Sequence, residues 1–187
     1  ENYGDEVRNF YKEDIYVGYR YFETFAPEHV VYEFGYGLSY TDFSIKAEKA
    51  EMKAGSHSTA EMAVTVQVTV TNTGKQYSGK EVVQVYVSAP QGELGKPVKV
   101  LGGFIKTKEL APGESQTLEI EVPFSRFASY DDSGVTRHRS CYVLEAGNYE
   151  FYVGNSIRNV EAVMFSAHES QASVGVFADQ GKLSVKD

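Results

Sequence analysis

Paired carboxylates are the first chemistry that this sequence could offer, because 26 acidic side chains are spread over 187 residues. Two neighbouring carboxyl groups can act as a general acid and a general base. Asp131-Asp132 lies in a turn-forming stretch, where adjacent side chains usually point to solvent, and Glu13-Asp14 is similar. Glu119 and Glu121 share the outer face of a predicted strand. We therefore interpret these acids as surface residues rather than catalytic ones.

The basic stretch Arg137-His138-Arg139, which is followed by Cys141, is a second candidate site. A histidine close to a cysteine can hold a metal or form a nucleophilic pair. No second His/Cys cluster accompanies this one, and its spacing matches no zinc signature. We therefore predict no metal site and interpret Cys141 as a small buried apolar residue. The remaining histidines are predicted to lie on the surface: His29, His57 and His168.

Glycine-rich stretches predict turns rather than a phosphate site. Gly35-Tyr36-Gly37 and Gly92–Gly95 lack the strand and helix that flank a phosphate-binding loop. The loop Pro90–Pro97 is of more interest, because long loops at the end of a β-sandwich often contact ligands or partners. A plain surface connection fits this loop equally well. The sequence therefore assigns no catalytic, cofactor-binding or metal-binding residue.

The elements that must position these side chains are mostly β-strands. Met62–Thr71 alternates almost perfectly and predicts one buried face of Met62, Val64, Val66, Val68 and Val70. Lys80–Ser88 and Thr117–Val122 have the same pattern, with Val83, Val85, Val87, Leu118, Ile120 and Val122 facing inwards. Further strands are predicted at Phe43–Lys53, Val98–Thr107 and Val160–Phe165, and more weakly at Val174–Phe177 and Leu183–Val185. The strand Val98–Thr107 is predicted to contain a bulge at Gly102-Gly103. Ser140–Leu144 and Tyr149–Val153 are predicted to form a hairpin. Seven or eight strands with regular turns predict a mainly β protein, an immunoglobulin-like or fibronectin type III-like β-sandwich.

The first forty residues follow a different pattern. Ile15–Phe22 is aromatic and β-branched, which predicts a strand without a pairing partner nearby. Phe34–Phe43 is interpreted as a joint, in which Gly35 and Gly37 give the backbone access to positive φ and the flanking aromatic rings turn inward. This first part is therefore expected to complete a structure whose other strands lie elsewhere.

Composition excludes several classes of function. A formal net charge of −8 disfavours a nucleic-acid backbone or an anionic membrane as the main partner. The single cysteine slightly favours a reducing compartment such as the cytoplasm, although a secreted protein without disulfides fits as well. No apolar run approaches a membrane span of about 20 residues. The start at Glu1, without methionine, suggests a processed or cut piece.

Several motifs occur in an order known from one enzyme family. The first part carries two of them, Tyr11–Phe22 and Tyr32–Thr41. The second part carries Val70–Gly74, Gly79–Val87, Lys96–Phe104, Leu110–Glu114 and Tyr149–Asn155. The sequence resembles family 3 glycoside hydrolases, and is most similar to the bacterial β-glucosidases.

This resemblance implies a division of the chain. Residues 1–40 would close an α/β-sandwich domain and form a linker, residues 41–166 would form the fibronectin type III-like domain, and residues 167–187 would be an extension without a familiar counterpart. Such enzymes hydrolyse terminal β-glucosidic bonds with retention, using an aspartate nucleophile from a barrel and a glutamate acid/base from the α/β domain. Neither motif occurs here, so the chain alone is expected to be inactive, and no cofactor is implied.

The hypothesis is therefore a non-catalytic, scaffolding portion of a family 3 β-glucosidase, whose partners are the barrel and α/β domain of the same enzyme. Two loops are candidates for a place near the active-site mouth, Pro90–Pro97 and Asp131–His138. The alternative is a stand-alone immunoglobulin-like module that binds carbohydrate or protein. That alternative needs an exposed aromatic platform, for which the candidates are Tyr16, Tyr19, Tyr21, Tyr36 and Tyr40.

Overall fold

The computed structural model describes residues 7–8, 10–37, 39–53, 61–165, 169–171, 176–179 and 182–185. Helix α1 spans Tyr19–Phe25, and single 3-10 turns lie at Pro27–His29 and Phe124–Arg126. The strands are β1 Phe43–Lys53, β2 Ala63–Asn72, β3 Val82–Ser88, β4 Val100–Lys106, β5 Ser115–Pro123, β6 Ser129–Asp131, β7 Cys141–Val143, β8 Gly147–Gly154, β9 Val160–Ala162, β10 Glu169–Gln171, β11 Val176–Asp179 and β12 Lys182–Val185. The prediction of a mainly β protein is confirmed.

The strands form two main antiparallel sheets. The smaller sheet has the order β1-β2-β5, and the larger has the order β10-β11-β12-β8-β3-β4, with β9 also paired to β8. One continuous buried core draws its side chains from both sheets, so the sheets pack face to face as a sandwich. A third, two-stranded sheet consists of β6 and β7.

The alternation in the sequence predicts the core correctly. All five predicted inward residues of the stretch Met62–Thr71 are buried, and so are those of β3 and β5: Met62, Val64, Val66, Val68, Val70, Val83, Val85, Val87, Leu118, Ile120 and Val122. The predicted bulge in β4 is confirmed, because Val85 pairs with Gly103 while Tyr86 pairs with Leu101, leaving Gly102 unpaired. A Cβ added at Gly102 would lie 2.6 Å from Val122 Cγ1, so this position needs glycine for close packing.

The strand predicted at Ile15–Phe22 is wrong, because the chain turns at Gly18 and then enters helix α1. Gly18 has a φ of 60°, which ends any extended run that precedes it. Helical spacing then places the Tyr21 ring on Phe25, one turn later, with centroids 5.6 Å apart. Aromatic residues favour strands only where a neighbouring strand is available, and none of the described strands pairs with this segment.

The predicted hairpin of Ser140–Leu144 with Tyr149–Val153 is also wrong. Strand β7 pairs with β6 instead, and β8 lies between β3 and β12 in the middle of the larger sheet. The reason is burial, since Tyr149, Phe151 and Val153 face the core while β7 lies largely at the surface. Cys141 is accordingly exposed, which corrects its interpretation as a buried apolar residue.

The last strands follow their predictions in part. The prediction at Val160–Phe165 corresponds to β9 plus an isolated bridge between Phe165 and Ala50. The two weaker predictions correspond to β11 and β12, which add to β8 through β12. The predicted turn at 55–58 lies outside the described residues.

Candidate binding end of the sandwich

The two candidate loops lie at one end of the sandwich, which we call the loop end: residues 89–97, residues 131–140 and Glu145. Strand β3 finishes there and β8 begins there, since Ser88 pairs with Glu150. Pro90 lies against Gly147 so closely that a Cβ at Gly147 would be 2.6 Å from Pro90 Cβ. Glu145 follows β7 by two residues and contacts the loop of residues 89–97.

A buried ion pair fixes the loop of residues 89–97. Lys96 Nζ contacts Glu145 Oε2, and the two side chains are only 5% and 10% exposed. The ammonium group also donates to the carbonyl oxygens of Pro90, at 3.0 Å, and Leu94, at 3.3 Å. The other carboxylate oxygen of Glu145 accepts the backbone N–H of Glu93 at 2.6 Å. Each charge therefore has several partners, and the loop is held in one shape.

A buried carboxylate organises the other loop. Asp131 is fully buried, and its carboxylate accepts four hydrogen bonds. Thr136 donates two of them, from its hydroxyl at 2.6 Å and from its backbone N–H at 2.9 Å. The Gly134 N–H donates at 2.6 Å and the Ser133 hydroxyl at 3.1 Å. The expectation that both acids point to solvent is wrong for Asp131 and right for Asp132. The Thr136 hydroxyl, together with these N–H groups, holds the pKa of Asp131 far below its usual range, although burial acts in the opposite direction.

Protonation of Asp131 will destabilise this loop at low pH. A carboxyl group whose folded pKa is lowered stabilises the fold above its unfolded value of about 4, and that contribution is lost as the pH falls below it. Asp131→Asn will therefore lower the melting temperature at pH 7 and flatten its decrease between about pH 4 and pH 2. Asp132→Asn, at the exposed neighbour, is the matched control. Identical pH profiles for the two variants in circular dichroism melts would contradict this role of Asp131.

The tip of the second loop is basic and exposed. Every residue from Arg137 to Tyr142 is exposed, in a chain of net charge −8. Two of these residues adopt left-handed conformations without being glycine, Arg137 at φ 69° and Ser140 at φ 61°. Below the tip, Tyr130 and Tyr142 pair across β6 and β7, with ring centroids 5.1 Å apart.

An apolar cleft of about 610 Å³ separates the first segment from the larger sheet. The side chains that line it include Tyr19, Phe22, Phe34, Tyr86, Leu101 and Phe104. Polar contacts hold its two sides together, since Leu101 N–H donates to Tyr19 Oη at 2.8 Å and Ser156 Oγ donates to Glu33 at 2.8 Å. Arg158 also donates to Glu23 at 2.9 Å. Burial raises the pKa of the Tyr86 hydroxyl, which donates to Gln84 Oε1 at 2.7 Å.

The joint at Phe34–Phe43 only partly matches its prediction. Gly35 and Gly37 do have positive φ, at 82° and 156°. The aromatic rings do not turn inward, however, because Phe34, Tyr36 and Tyr40 are all exposed and only Phe43 is half-buried. Among the described residues, these three rings therefore lie outside the core.

The five candidate tyrosines do not form one aromatic platform. Tyr16 and Tyr21 both contact Phe25, while Tyr19 contacts Tyr86. The other two form separate pairs, Tyr36 with Tyr32 and Tyr40 with Tyr77. The rings are therefore spread over several places, and no single sugar-binding face results.

The remaining candidate residues lie at the surface or outside the described residues. Glu119 and Glu121 lie on the outer face of β5, where they contact Gln67 and Lys53. His29 is exposed, whereas His57 and His168 lie outside the described residues. Among the residues that the structure describes, no three His, Cys, Asp or Glu side chains are grouped as metal ligands. No described helix is long and apolar enough to cross a bilayer.

Comparison with known proteins places this geometry in a family. Residues 81–157 match the model of the fibronectin type III-like domain. A β-glucosidase of Ruminococcus albus is 49% identical over 86% of this chain, which covers 16% of that protein. A solved structure agrees, that of a family 3 glycoside hydrolase, the β-glucosidase of Bifidobacterium adolescentis. It is 32% identical with a TM-score of 0.68, and the match covers 87% of this chain and 23% of that one. The chain corresponds to a portion of the family 3 glycoside hydrolases.

This family 3 chain is also similar, along its whole length, to a β-glucosidase from Paenibacillus barengoltzii. That structure is 53% identical with a TM-score of 0.82, and the match covers 100% of this chain and 19% of that one. The family 3 chain thus spans about a sixth to a quarter of the length of these relatives. The family resemblance drawn from the motifs is confirmed, and the matched domain is a non-catalytic part of such proteins.

Proposed function

We propose that this chain is the non-catalytic, fibronectin type III-like portion of a β-glucosidase that hydrolyses terminal non-reducing β-D-glucosyl residues with retention. The observation that carries the proposal is the similarity over nearly the whole chain to proteins named β-glucosidases, at 49% and 53% identity. The activity itself belongs to the longer polypeptide, because the nucleophile and the acid/base of the family come from other domains.

The role proposed for this portion is to support the catalytic domains. Residues 1–40 would close the α/β-sandwich domain, residues 41–166 would form the sandwich, and residues 167–187 would be an extension. Exposed aromatic side chains are concentrated in the first of these parts, including Phe10, Phe25, Tyr32, Phe34, Tyr36 and Tyr40. So many exposed rings in one short segment are typical of a surface that another domain covers.

The loop end is proposed to border the active-site mouth. Its two loops, Pro90–Pro97 and Asp131–His138, are both held by buried charged side chains and are therefore shaped before any ligand arrives. Rigid loops on a β-sandwich can contact a substrate that is bound mainly by the neighbouring domains. No residue of this portion is assigned a catalytic role.

Activity measurements on two forms of the protein test the proposal. The complete polypeptide is expected to release the aryl group from an aryl β-glucoside, and the 187-residue chain alone is expected to release none. Glucan oligosaccharides titrated into the chain alone should show no binding. Binding at about millimolar affinity or tighter would instead support the alternative of a stand-alone binding module.

Hydrogen exchange tests the supporting role separately. Amides in residues 10–37 are expected to exchange quickly in the chain alone and slowly in the complete polypeptide, because the exposed rings become covered. Equally slow exchange in both forms would show that this segment needs no further domain.

A further inference from the structure

The β6–β7 hairpin stands apart from the rest of the fold. Its two strands form a sheet of their own, outside both sheets of the sandwich. Six consecutive residues, 137–142, are exposed, and they run from the tip at residues 137–140 into β7. The paired rings of Tyr130 and Tyr142 are 51% and 71% exposed below that tip. A hairpin that contributes so little to the core needs another reason for its shape.

That shape is fixed in advance. The Asp131 carboxylate accepts four hydrogen bonds from the loop, and its backbone carbonyl accepts the N–H of Ser140 at 2.6 Å. These bonds hold Arg137 and Ser140 in left-handed conformations that non-glycine residues rarely adopt. Backbone strain of this kind persists only where the surrounding contacts enforce it, and it is concentrated at functional sites.

The charge of the tip is opposite to that of the chain. Arg137 and Arg139 are exposed, and neither guanidinium group forms an ion pair with any part of the chain that the structure describes. The whole chain carries a net charge of −8. Two unpaired arginines and two exposed tyrosines are the residue types that dominate the binding energy of protein interfaces.

We propose that this hairpin is a docking element, which inserts its basic tip into a carboxylate-lined groove on the remainder of the same polypeptide. Arginine binds carboxylates through two parallel hydrogen bonds, so acidic side chains are the complement that Arg137 and Arg139 fit best. The two tyrosine rings are inclined at 66°, so they present no flat surface on which sugar rings could stack. A groove in a protein surface fits this shape better than a polysaccharide.

The size of the hairpin indicates that the groove belongs to the same polypeptide. A stable complex between separate proteins buries about 800 Å² on each side, from about 20–30 residues. The hairpin exposes ten residues, which is too few for that: Tyr130, Asp132, Ser133, Val135 and residues 137–142. A covalent connection raises the effective concentration of the groove around the hairpin to about the millimolar range. At that concentration a small contact is sufficient for binding. This inference rests on the proposed function in one respect: the complete polypeptide must contain domains beyond these 187 residues.

The thiol of Cys141 reports on the docking, because it is exposed on β7 beside the tip. We expect iodoacetamide to label Cys141 in the complete polypeptide at least about tenfold more slowly than in a synthetic peptide of residues 136–146, as followed by peptide mass mapping. Raising the salt from 0.1 M to 1 M shortens the Debye length from about 10 Å to about 3 Å and should accelerate the labelling.

Charge reversal supplies the decisive comparison. Arg137→Glu combined with Arg139→Glu should raise the labelling rate of the complete polypeptide by about tenfold relative to that of a peptide of residues 136–146 with the same two changes, because like charges would then meet in the groove. Lys75→Glu combined with Lys80→Glu makes the same change of charge on exposed lysines between β2 and β3, at the opposite end of the sandwich, and should leave the rate unchanged. A circular dichroism melt checks that each variant is folded.

Four results would overturn the inference. The first is that Cys141 of the complete polypeptide is labelled as fast as the peptide, and the second is that the two double variants change the labelling rate equally. The third is that protection of Cys141 increases with protein concentration. The fourth is that Cys141 is protected only when a uronate polysaccharide is added. The third result would indicate a second copy, and the fourth a polysaccharide ligand. Aryl β-glucosidase activity is measured on the same samples, so a failure of docking is distinguishable from a failure of the proposed function.

Discussion

Replacing Lys96 with methionine will lower the free energy of unfolding by about 3–5 kcal/mol, because it leaves the buried Glu145 carboxylate without its counter-charge. Methionine retains most of the side-chain volume but cannot donate to the carboxylate or to the carbonyls of Pro90 and Leu94. Urea unfolding followed by circular dichroism measures the loss. Fast hydrogen exchange of residues 91–95 should accompany it.

The control is the same substitution at an exposed ion pair. Lys53 Nζ lies 2.8 Å from Glu121 Oε2, and the two side chains are 59% and 52% exposed. Lys53→Met should cost less than about 1 kcal/mol, because water screens such a pair. Replacing both buried partners, Lys96→Met with Glu145→Leu, should recover part of the lost stability, since no uncompensated charge remains. Equal costs for the two lysine variants would contradict the account of the loop end.

Replacing Phe151 with alanine will also lower the free energy of unfolding by about 3–5 kcal/mol, through the cavity that it leaves. Phe151 is fully buried in the middle of β8. Its ring lies 5.6 Å from that of Phe127 and 5.9 Å from that of Phe165. Phe165 in turn bridges to Ala50 of β1. The Phe151 ring therefore joins the two sheets of the sandwich.

A substitution that removes less side-chain volume at the same site calibrates the cost of the cavity. Phe151→Leu keeps part of the buried volume and should cost on the order of 1–2 kcal/mol. Denaturant titrations of both variants should have an unchanged slope, because the surface exposed on unfolding stays nearly the same. A cost for the alanine variant no larger than that for the leucine variant would show that the surrounding rings collapse into the space.

The Lys96–Glu145 ion pair and the β6–β7 hairpin give the loop end its functional interest. Glu145 fixes the loop of residues 89–97 and lies two residues after β7, the strand that follows the loop of residues 131–140. This arrangement is consistent with the proposed place at an active-site mouth, where two loops must keep a constant spacing.

The sequence by itself determined the sandwich and its family. Strict alternation in β2, β3 and β5 predicts the buried face because successive side chains in a strand point to opposite sides. The glycines of the β4 bulge and of the joint were also predictable, since those positions require close packing or positive φ. The order of the motifs was sufficient to identify the family, and the comparisons confirm it.

Only the tertiary structure decided the rest. Lys96 and Glu145 are 49 positions apart, and nothing in their local sequence indicates that they meet. Asp131 is buried and Asp132 exposed although they are neighbours, because only one of them points into the loop that it organises. The partner of β7 and the helix at Tyr19–Phe25 likewise depended on which strands were available to pair. Local pattern fixes which face of a strand is buried, whereas long-range contacts select the pairing partners and the loop shapes.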